Sequence, residues 1–230
     1  MPYEAITHAA KAKKKAVRND HGSRFKPLNF EPIDKIRGDV VRLGENHASG
    51  WFIVFSTPEG VGRWADVINA RLSKLRYKRS CVWVKPDSAP QMNGQGPAAG
   101  HESIVCAWAG RGHSRWNGGG KRGVYTHLTN PKNRDGRHPT EKPVALMCEL
   151  LLDFTQPGDL VFDPFMGSGT TGVACAMTGR QFVGVEINPD YYDVAVERVA
   201  KAYEQRPLFA EDAFTPRKAK TADLFKGALS

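Results

Sequence analysis

The most constraining feature of this chain lies in its C-terminal third. Asp159-Leu160-Val161-Phe162-Asp163 reads as a short apolar strand and Gly167-Ser168-Gly169 as a tight turn. Thr170 to Thr178 reads as a helix, with Gly179 suited to its C-terminal cap. Gln181 to Ile187 is the next strand. Asn188-Pro189 then opens a helix running to about Gln205, with asparagine as cap and proline at the first helical position. Strand, turn, helix, strand, helix is a βαβ unit. It demands a parallel sheet covered by helices, so the fold class is α/β.

Upstream, Gly50 to Ser56 is a short apolar, aromatic-rich strand. Val61 to Leu75 has helical spacing, with Trp64, Val67, Ile68 and Leu72 on one face. Tyr77 to Lys85 and Ser103 to Ala109 read as strands, separated by a loop over 86–100. Residues 110–137 are glycine-rich and basic, too polar to be core. Thr140 to Phe154 reads as a helix, with Thr140 as N-cap and Pro143 in the first turn. Residues 4–47 read as a mobile loop or a short helix, and the tail from Pro207 as loosely held. At 230 residues the whole chain, 1–230, fits one domain.

The net charge of +9 favours a polyanionic partner, of which nucleic acid is the commonest; a merely soluble basic surface is the alternative. Cys81, Cys106, Cys148 and Cys175 are spaced too widely for a zinc site or a disulfide framework. Three of them, Cys81, Cys106 and Cys175, sit in apolar strings and read as small core residues, which points to a reducing cytoplasm. No apolar run approaches the roughly 18 residues of a membrane span, so no membrane role is expected.

In an open parallel sheet, ligands bind beyond the carboxyl ends of the strands. Asp163 to Gly169 lies at such an end. Glycines there let backbone N–H groups approach a ligand, and the following helix presents its positive end. Glu186 closes the next strand some twenty residues later, where an acid accepts hydrogen bonds from ribose hydroxyls; a surface acid is the alternative. Asp163 can take an ammonium group, and helix-terminal amides can take a carboxylate. A ligand with an amino-acid end and a ribose end satisfies both, and S-adenosylmethionine is one. The absence of Gly-Lys-Ser/Thr excludes a P-loop.

Asp163-Pro164-Phe165-Met166-Gly167-Ser168-Gly169-Thr170 resembles the methionine-binding motif of the DNA amino-methyltransferases, which make N6-methyladenine or N4-methylcytosine. In their permuted order a His-Pro-Thr-Glu-Lys-Pro segment precedes the cofactor strand, as His138 to Pro143 does here. Val82-Trp83-Val84-Lys85-Pro86 and Gly100-His101-Glu102-Ser103-Ile104 also resemble middle segments of that group, phage and prophage members especially. The resemblance covers roughly residues 50–200. It implies a Rossmann-like, S-adenosylmethionine-dependent methyltransferase fold, with a seven-stranded, mostly parallel sheet and helices on both faces. It implies cofactor contacts from His138, Thr140 and Lys142, beside Asp163, Pro164, Phe165, Gly167, Ser168, Gly169, Thr170 and Glu186. A plain helix start is the alternative for the His138–Lys142 segment.

Methyl transfer to an exocyclic amine is difficult because its lone pair is delocalised into the ring. Oxygens accepting its N–H protons would localise that pair, an aromatic ring would hold the base flat, and the base must first leave the duplex. The family uses Asp/Asn/Ser-Pro-Pro-Tyr. This chain offers Met1-Pro2-Tyr3, where Pro2 would supply the turn and carbonyl and Tyr3 the stacking ring. The acid and its strand would lie upstream of Met1, or the chain is a catalytically impaired homologue that binds cofactor and DNA only. Lys13 and Lys14, in the run Lys11–Lys15, read as phosphate contacts, with a solvated loop as the alternative. Arg115, Trp116, Lys121 and Arg122 fall in the basic segment of about 110–137, where the permuted group carries its target-recognition region; a nonspecific basic loop is the alternative. Double-stranded DNA is the expected partner, with an RNA-directed enzyme as the other reading. A restriction endonuclease partner, and a monomer or homodimer, are left open.

Overall fold

Ile33, Val40 and Val41 recur at helical spacing, and in the computed structural model they form the buried face of α1, Ile33–His47. The structure describes residues 33–70, 74–90, 94–129 and 141–205. Those residues divide into two units, one drawn from Met1–Ser114 with Gly123–Thr126, the other from Arg115–Arg122 with His127–Ser230.

In the first unit, α1 is followed by β1 (Trp51–Ser56), a 3₁₀ turn at Pro58–Gly60, α2 (Val61–Asn69), β2 (Arg76–Val84), β3 (His101–Trp108) and β4 (Val124–Thr126). The sheet order is β1-β3-β2-β4. β3 runs antiparallel to both neighbours, while β4 runs parallel to β2. β1 and β2 are therefore parallel to each other, with the helical crossover α2 between them and β3 inserted by a loop. Two of the three pairings in this sheet are thus antiparallel, which departs from the mostly parallel sheet expected; a loop can connect antiparallel neighbours, whereas parallel ones need a crossover. β3 is the most buried strand, with seven of its eight residues inside. Trp64 and Ile68 of α2, Val41 of α1, and Ile104 and Val105 of β3 form the core.

Two features of this unit differ from the expectation. The segment 4–47 contains the 15-residue α1. Its buried face includes Arg37, whose guanidinium lies 5.2 Å over the Trp64 ring and bonds Asp34 at 2.8 Å. It also includes Gly44. A Cβ there would stand 2.4 Å from the Phe52 ring and 3.2 Å from Leu75. Gly44→Ala is therefore expected to cost about 1–3 kcal/mol by overpacking, against alanine's better helix propensity. Urea unfolding checks this; a variant as stable as the parent would contradict it. Second, residues 110–137 are not wholly outside the core, because Tyr125 of β4 is fully buried.

In the second unit, α3 (Val144–Phe154) precedes β5 (Leu160–Asp163), α4 (Thr170–Thr178), β6 (Gln181–Gly184) and α5 (Pro189–Glu204). β5 and β6 pair in parallel through the α4 crossover, as the βαβ pattern requires. α4 spans Thr170–Thr178, with Gly179 left-handed (φ 75°) at its C-terminal cap. Asn188 caps α5, its side chain accepting from the amides of Asp190 and Tyr191. The first helix of this unit begins at Val144 rather than Thr140, with Pro143 extended at the N-cap position. A proline disfavours helical geometry in the residue before it, so Lys142 cannot belong to the helix. β6 ends at Gly184 because Val185 turns toward the glycine loop: its N–H donates to the Asp163 carbonyl, and its carbonyl accepts from Met166 N–H.

All four cysteines are free. Burial pushes the Cys148 thiol up to about 11 and the Cys175 thiol up to about 12, so neither is a thiolate at neutral pH. Cys81 and Cys106 are buried side by side, and hydrogen bonding between them raises Cys106 further. Cys81, Cys106 and Cys175 are the small core residues expected.

Candidate cofactor site and basic loop

The glycine turn is built by its own backbone. Gly167 and Gly169 adopt left-handed φ of 54° and 80°, which glycine alone takes without penalty. At Gly169 the close approach of Ala195 adds a second reason, since a Cβ would sit 3.0 Å from that backbone. Gly169 N–H donates to the Met166 carbonyl at 2.9 Å, closing the turn into the first turn of α4. Gly169 caps α4 without any side chain, so the helix's leading amides carry no side-chain acceptor.

Two carboxylates flank the turn, both half-buried. Asp163 at the end of β5 accepts from Phe165 N–H at 3.0 Å through Oδ1 and from the Thr171 hydroxyl at 2.6 Å through Oδ2. Glu186 accepts from Gly167 N–H at 2.9 Å through Oε2 and from Asn188 N–H at 2.9 Å through Oε1. The acid that the sequence placed after the next strand therefore braces the glycine turn itself. Each carboxylate oxygen retains a second lone-pair direction for a ligand donor. Ser168 and Thr170 are buried within the turn, Pro164 and Phe165 line it half-exposed, and Lys142 is half-buried in the segment ahead of α3. His138, Thr140, Pro2, Tyr3, Lys13 and Lys14 lie outside the described residues.

Three contributors were not picked out from sequence. Thr171 locks Asp163. Arg198 on α5 donates to the Ser168 carbonyl at 2.7 Å and to Glu141 Oε1 at 2.7 Å. Glu141 was only one letter of a longer segment. Thr171 was foreshadowed by its place one residue past the motif; the Arg198–Glu141 pair spans 57 residues and left no local sign.

The basic segment divides by role. Lys121 Nζ donates to Glu149 at 2.8 Å and to Asp153 at 2.5 Å. His127 Nε2 lies 2.6 Å from the other Glu149 oxygen. The Trp116 ring packs edge-on against Phe154 at 5.0 Å, and its indole N–H donates to the Gly119 carbonyl. Asn117 donates to the carbonyls of Leu152 and Thr155 at the end of α3. Trp116 and Lys121, both expected at DNA, thus hold 115–122 onto α3; the charge of Lys121 is already met by two carboxylates. Arg111, His113, Arg115 and Arg122 are exposed.

Burial opposes the charge on Glu149, but Lys121 and His127 outweigh it and hold the carboxyl below its usual 4.5. Burial likewise opposes the Lys121 charge, and Asp153 and Glu149 overcome it, holding the ammonium above 10.5. A depressed acid stabilises above its unfolded value and loses that contribution as pH falls through the folded one; a raised base stabilises below its unfolded value and loses it as pH rises. Protection of the Asn117 amide, which donates to Asp153 O, should hold at neutral pH and fall as the solution is acidified below 4.5. Hydrogen exchange checks this. Glu149→Gln should flatten the acid limb, and a profile identical to the parent's would sink the idea.

The middle segments also meet. Val84 pairs with His101, Lys85 N–H donates to the Gly100 carbonyl at 2.8 Å, and Lys85 Nζ reaches Glu102 at 2.5 Å while lying 4.7 Å over the Trp83 ring.

A DNA methylase family model matches residues 46–197, and the chain belongs to that family. It is 36% identical over 201 residues to the type II methyltransferase M.Cfr9I of Citrobacter freundii, covering 80% of this chain and 67% of that protein. It is 43% identical over 91 residues to the DNA adenine methyltransferase YhdJ of Escherichia coli K12, covering 39% of this chain and 29% of that protein. The match thus spans less than a third of the YhdJ length. Among solved structures, the complex of M1.HpyAVI with SAM superposes with a TM-score of 0.64 at 26% identity, covering 72% of this chain and 82% of that one. The fold is the Rossmann-like α/β fold of the DNA methyltransferases.

Proposed function

We propose that the chain transfers a methyl group from S-adenosylmethionine to the exocyclic amine of adenine (N6) or cytosine (N4) in double-stranded DNA. The observation that carries this is the glycine turn at the end of β5, flanked by Asp163 and braced through the Gly167 amide by Glu186. The residues fit the cofactor. Asp163 would take its ammonium group, the leading amides of α4 its carboxylate, and Glu186 the ribose hydroxyls. His138, Thr140 and Lys142 complete this reading of the site. When bound, the cofactor supplies an electrophilic methyl group on a sulfonium. Pro2 and Tyr3 would receive the flipped base, the proline carbonyl accepting an amine proton and the tyrosine ring stacking on the base.

The exposed Arg115 and Arg122, with Lys13 and Lys14, would contact phosphates, so affinity for DNA should fall steeply with added salt. Trp116 and Lys121 support that surface by fixing the loop. Among the described residues no helix is long and apolar enough to cross a membrane. The free buried thiols support a cytoplasmic setting. A restriction endonuclease as partner fits the type II relative.

The test is incubation of mixed-sequence DNA with the protein and labelled cofactor, followed by mass analysis of the nucleosides. N6-methyladenine or N4-methylcytosine is the expected product. Cofactor binding without either product would instead favour a homologue that binds cofactor and DNA without turnover.

A further inference from the structure

The Arg198–Glu141 contact joins two stretches of chain that the proposed site draws on. Arg198 is 13% exposed and Glu141 3%. One guanidinium nitrogen donates to the carbonyl of Ser168, in the middle of the glycine turn, and the other donates to Glu141, in the segment that leads through Lys142 into α3. The peptide linking Ser168 to Gly169 is thereby held from both ends. Its carbonyl accepts from Arg198, and its N–H donates to Met166 O at 2.9 Å. Rotation of that peptide would break both bonds.

A requirement for stability alone explains such a pair poorly. A buried carboxylate and a half-buried guanidinium carry a desolvation cost that their attraction barely offsets, and apolar residues of similar volume usually serve folding as well or better. Glu141 deepens the point, because its Oε2 is buried with no hydrogen-bond partner among the described residues. What a guanidinium offers that apolar residues cannot is a rigid planar fork, which fixes two acceptors at a set separation and angle. Here the two acceptors belong to the two pieces of chain whose relative placement a shared ligand would sense.

We propose that Arg198 is a positioning residue for cofactor binding. It sets the glycine turn and the Glu141–Lys142 segment in register before the ligand arrives. The inference rests on the cofactor reading of this site. It assigns Arg198 no contact with the ligand and no part in the chemistry.

The test compares the parent with Arg198→Met, Arg198→Lys and the double variant Arg198→Met/Glu141→Leu. Three quantities are read: the melting temperature, the dissociation constant for labelled S-adenosylmethionine by equilibrium dialysis, and amide exchange over 166–170 in the ligand-free protein. Arg198→Met leaves Glu141 buried and unpaired, so it should melt lower and bind at least tenfold more weakly. The lysine variant should fall between. The double variant carries the decision, since it removes the unpaired charge. Its melting temperature should return toward the parent's, while the dissociation constant stays raised at least tenfold and exchange over 166–170 stays faster, with Val173–Ala176 of α4 unchanged. Recovery of both affinity and exchange in the double variant would overturn the proposal, and so would parental affinity in a folded Arg198→Met. A parent that binds no cofactor would overturn the cofactor reading instead, and the exchange comparison would still decide whether Arg198 orders the turn.

Discussion

Asp163→Ala is expected to weaken S-adenosylmethionine binding by about a hundredfold or more, roughly 2.8 kcal/mol at 1.4 kcal/mol per decade. Two losses add. The first is the charge that would meet the ligand's ammonium; a hydrogen bond to a charged group contributes about 1.5–3 kcal/mol. The second is preorganisation, because Asp163 fixes Phe165 N–H and the Thr171 hydroxyl and so shapes the turn. Asp163→Asn separates them. It keeps one carbonyl oxygen for an internal bond but loses the charge, so its affinity should fall between parent and alanine. Titration calorimetry reports the affinities, and a thermal melt confirms that each variant is folded. Unchanged affinity in a folded alanine variant would remove Asp163 from the site.

Arg180→Met should cause the largest loss of stability, about 3–5 kcal/mol, read as a fall of roughly 6–20 °C in melting temperature for a chain of this size. Arg180 is 3% exposed. Its guanidinium donates to the Thr155 hydroxyl at 2.9 Å, to the carbonyls of Thr178 and Leu151, and to the Thr155 carbonyl at 2.7 Å. Those carbonyls belong to the ends of α3 and α4, where the helix cannot satisfy its own acceptors and a cation is favoured. Methionine keeps much of the apolar stem but removes all of these bonds to a charged donor, each contributing about 1.5–3 kcal/mol; the Leu151 and Thr155 carbonyls keep the Thr155 N–H and the Asn117 amide as donors, while the Thr178 carbonyl loses its guanidinium partner. Burial pulls the Arg180 pKa below its usual value. Arg180→Lys should restore part of the loss. A methionine variant melting within about 2 °C of the parent would show that water replaces the guanidinium at little cost.

What could be read from sequence here was local. Gly167, Gly169 and Gly179 announce α4 because left-handed backbone is written into single residues, and Asn188-Pro189 announces α5 because a side-chain cap and a proline at the first helical position are equally local. Glu186 was legible by spacing, though its bond to the Gly167 amide was not. The missed pieces are those whose meaning lies in a distant partner. Arg37 and Gly44 make α1 look polar and broken until Trp64 and Phe52 are set against them. Lys121 and Trp116 look like a DNA surface until Glu149, Asp153 and Phe154 claim them. Tyr125 sits in a glycine-rich, basic stretch, yet β2 recruits it into the core. Arg198 and Glu141 are ordinary charged residues on a helix and a loop until the fold pairs them, burying Glu141 and half-burying Arg198.

The placement of β3 also bears on how quickly each unit can form. The β1–β3 ladder joins Trp51 to Trp108, so a long loop must close before its contacts repay the entropy. The β5–β6 ladder joins Leu160 to Gln181, with α4 folding between them. Low contact order favours rapid folding. The unit carrying the glycine turn is therefore the one whose chain can reach its native pairing first, before the antiparallel centre of the other sheet has closed.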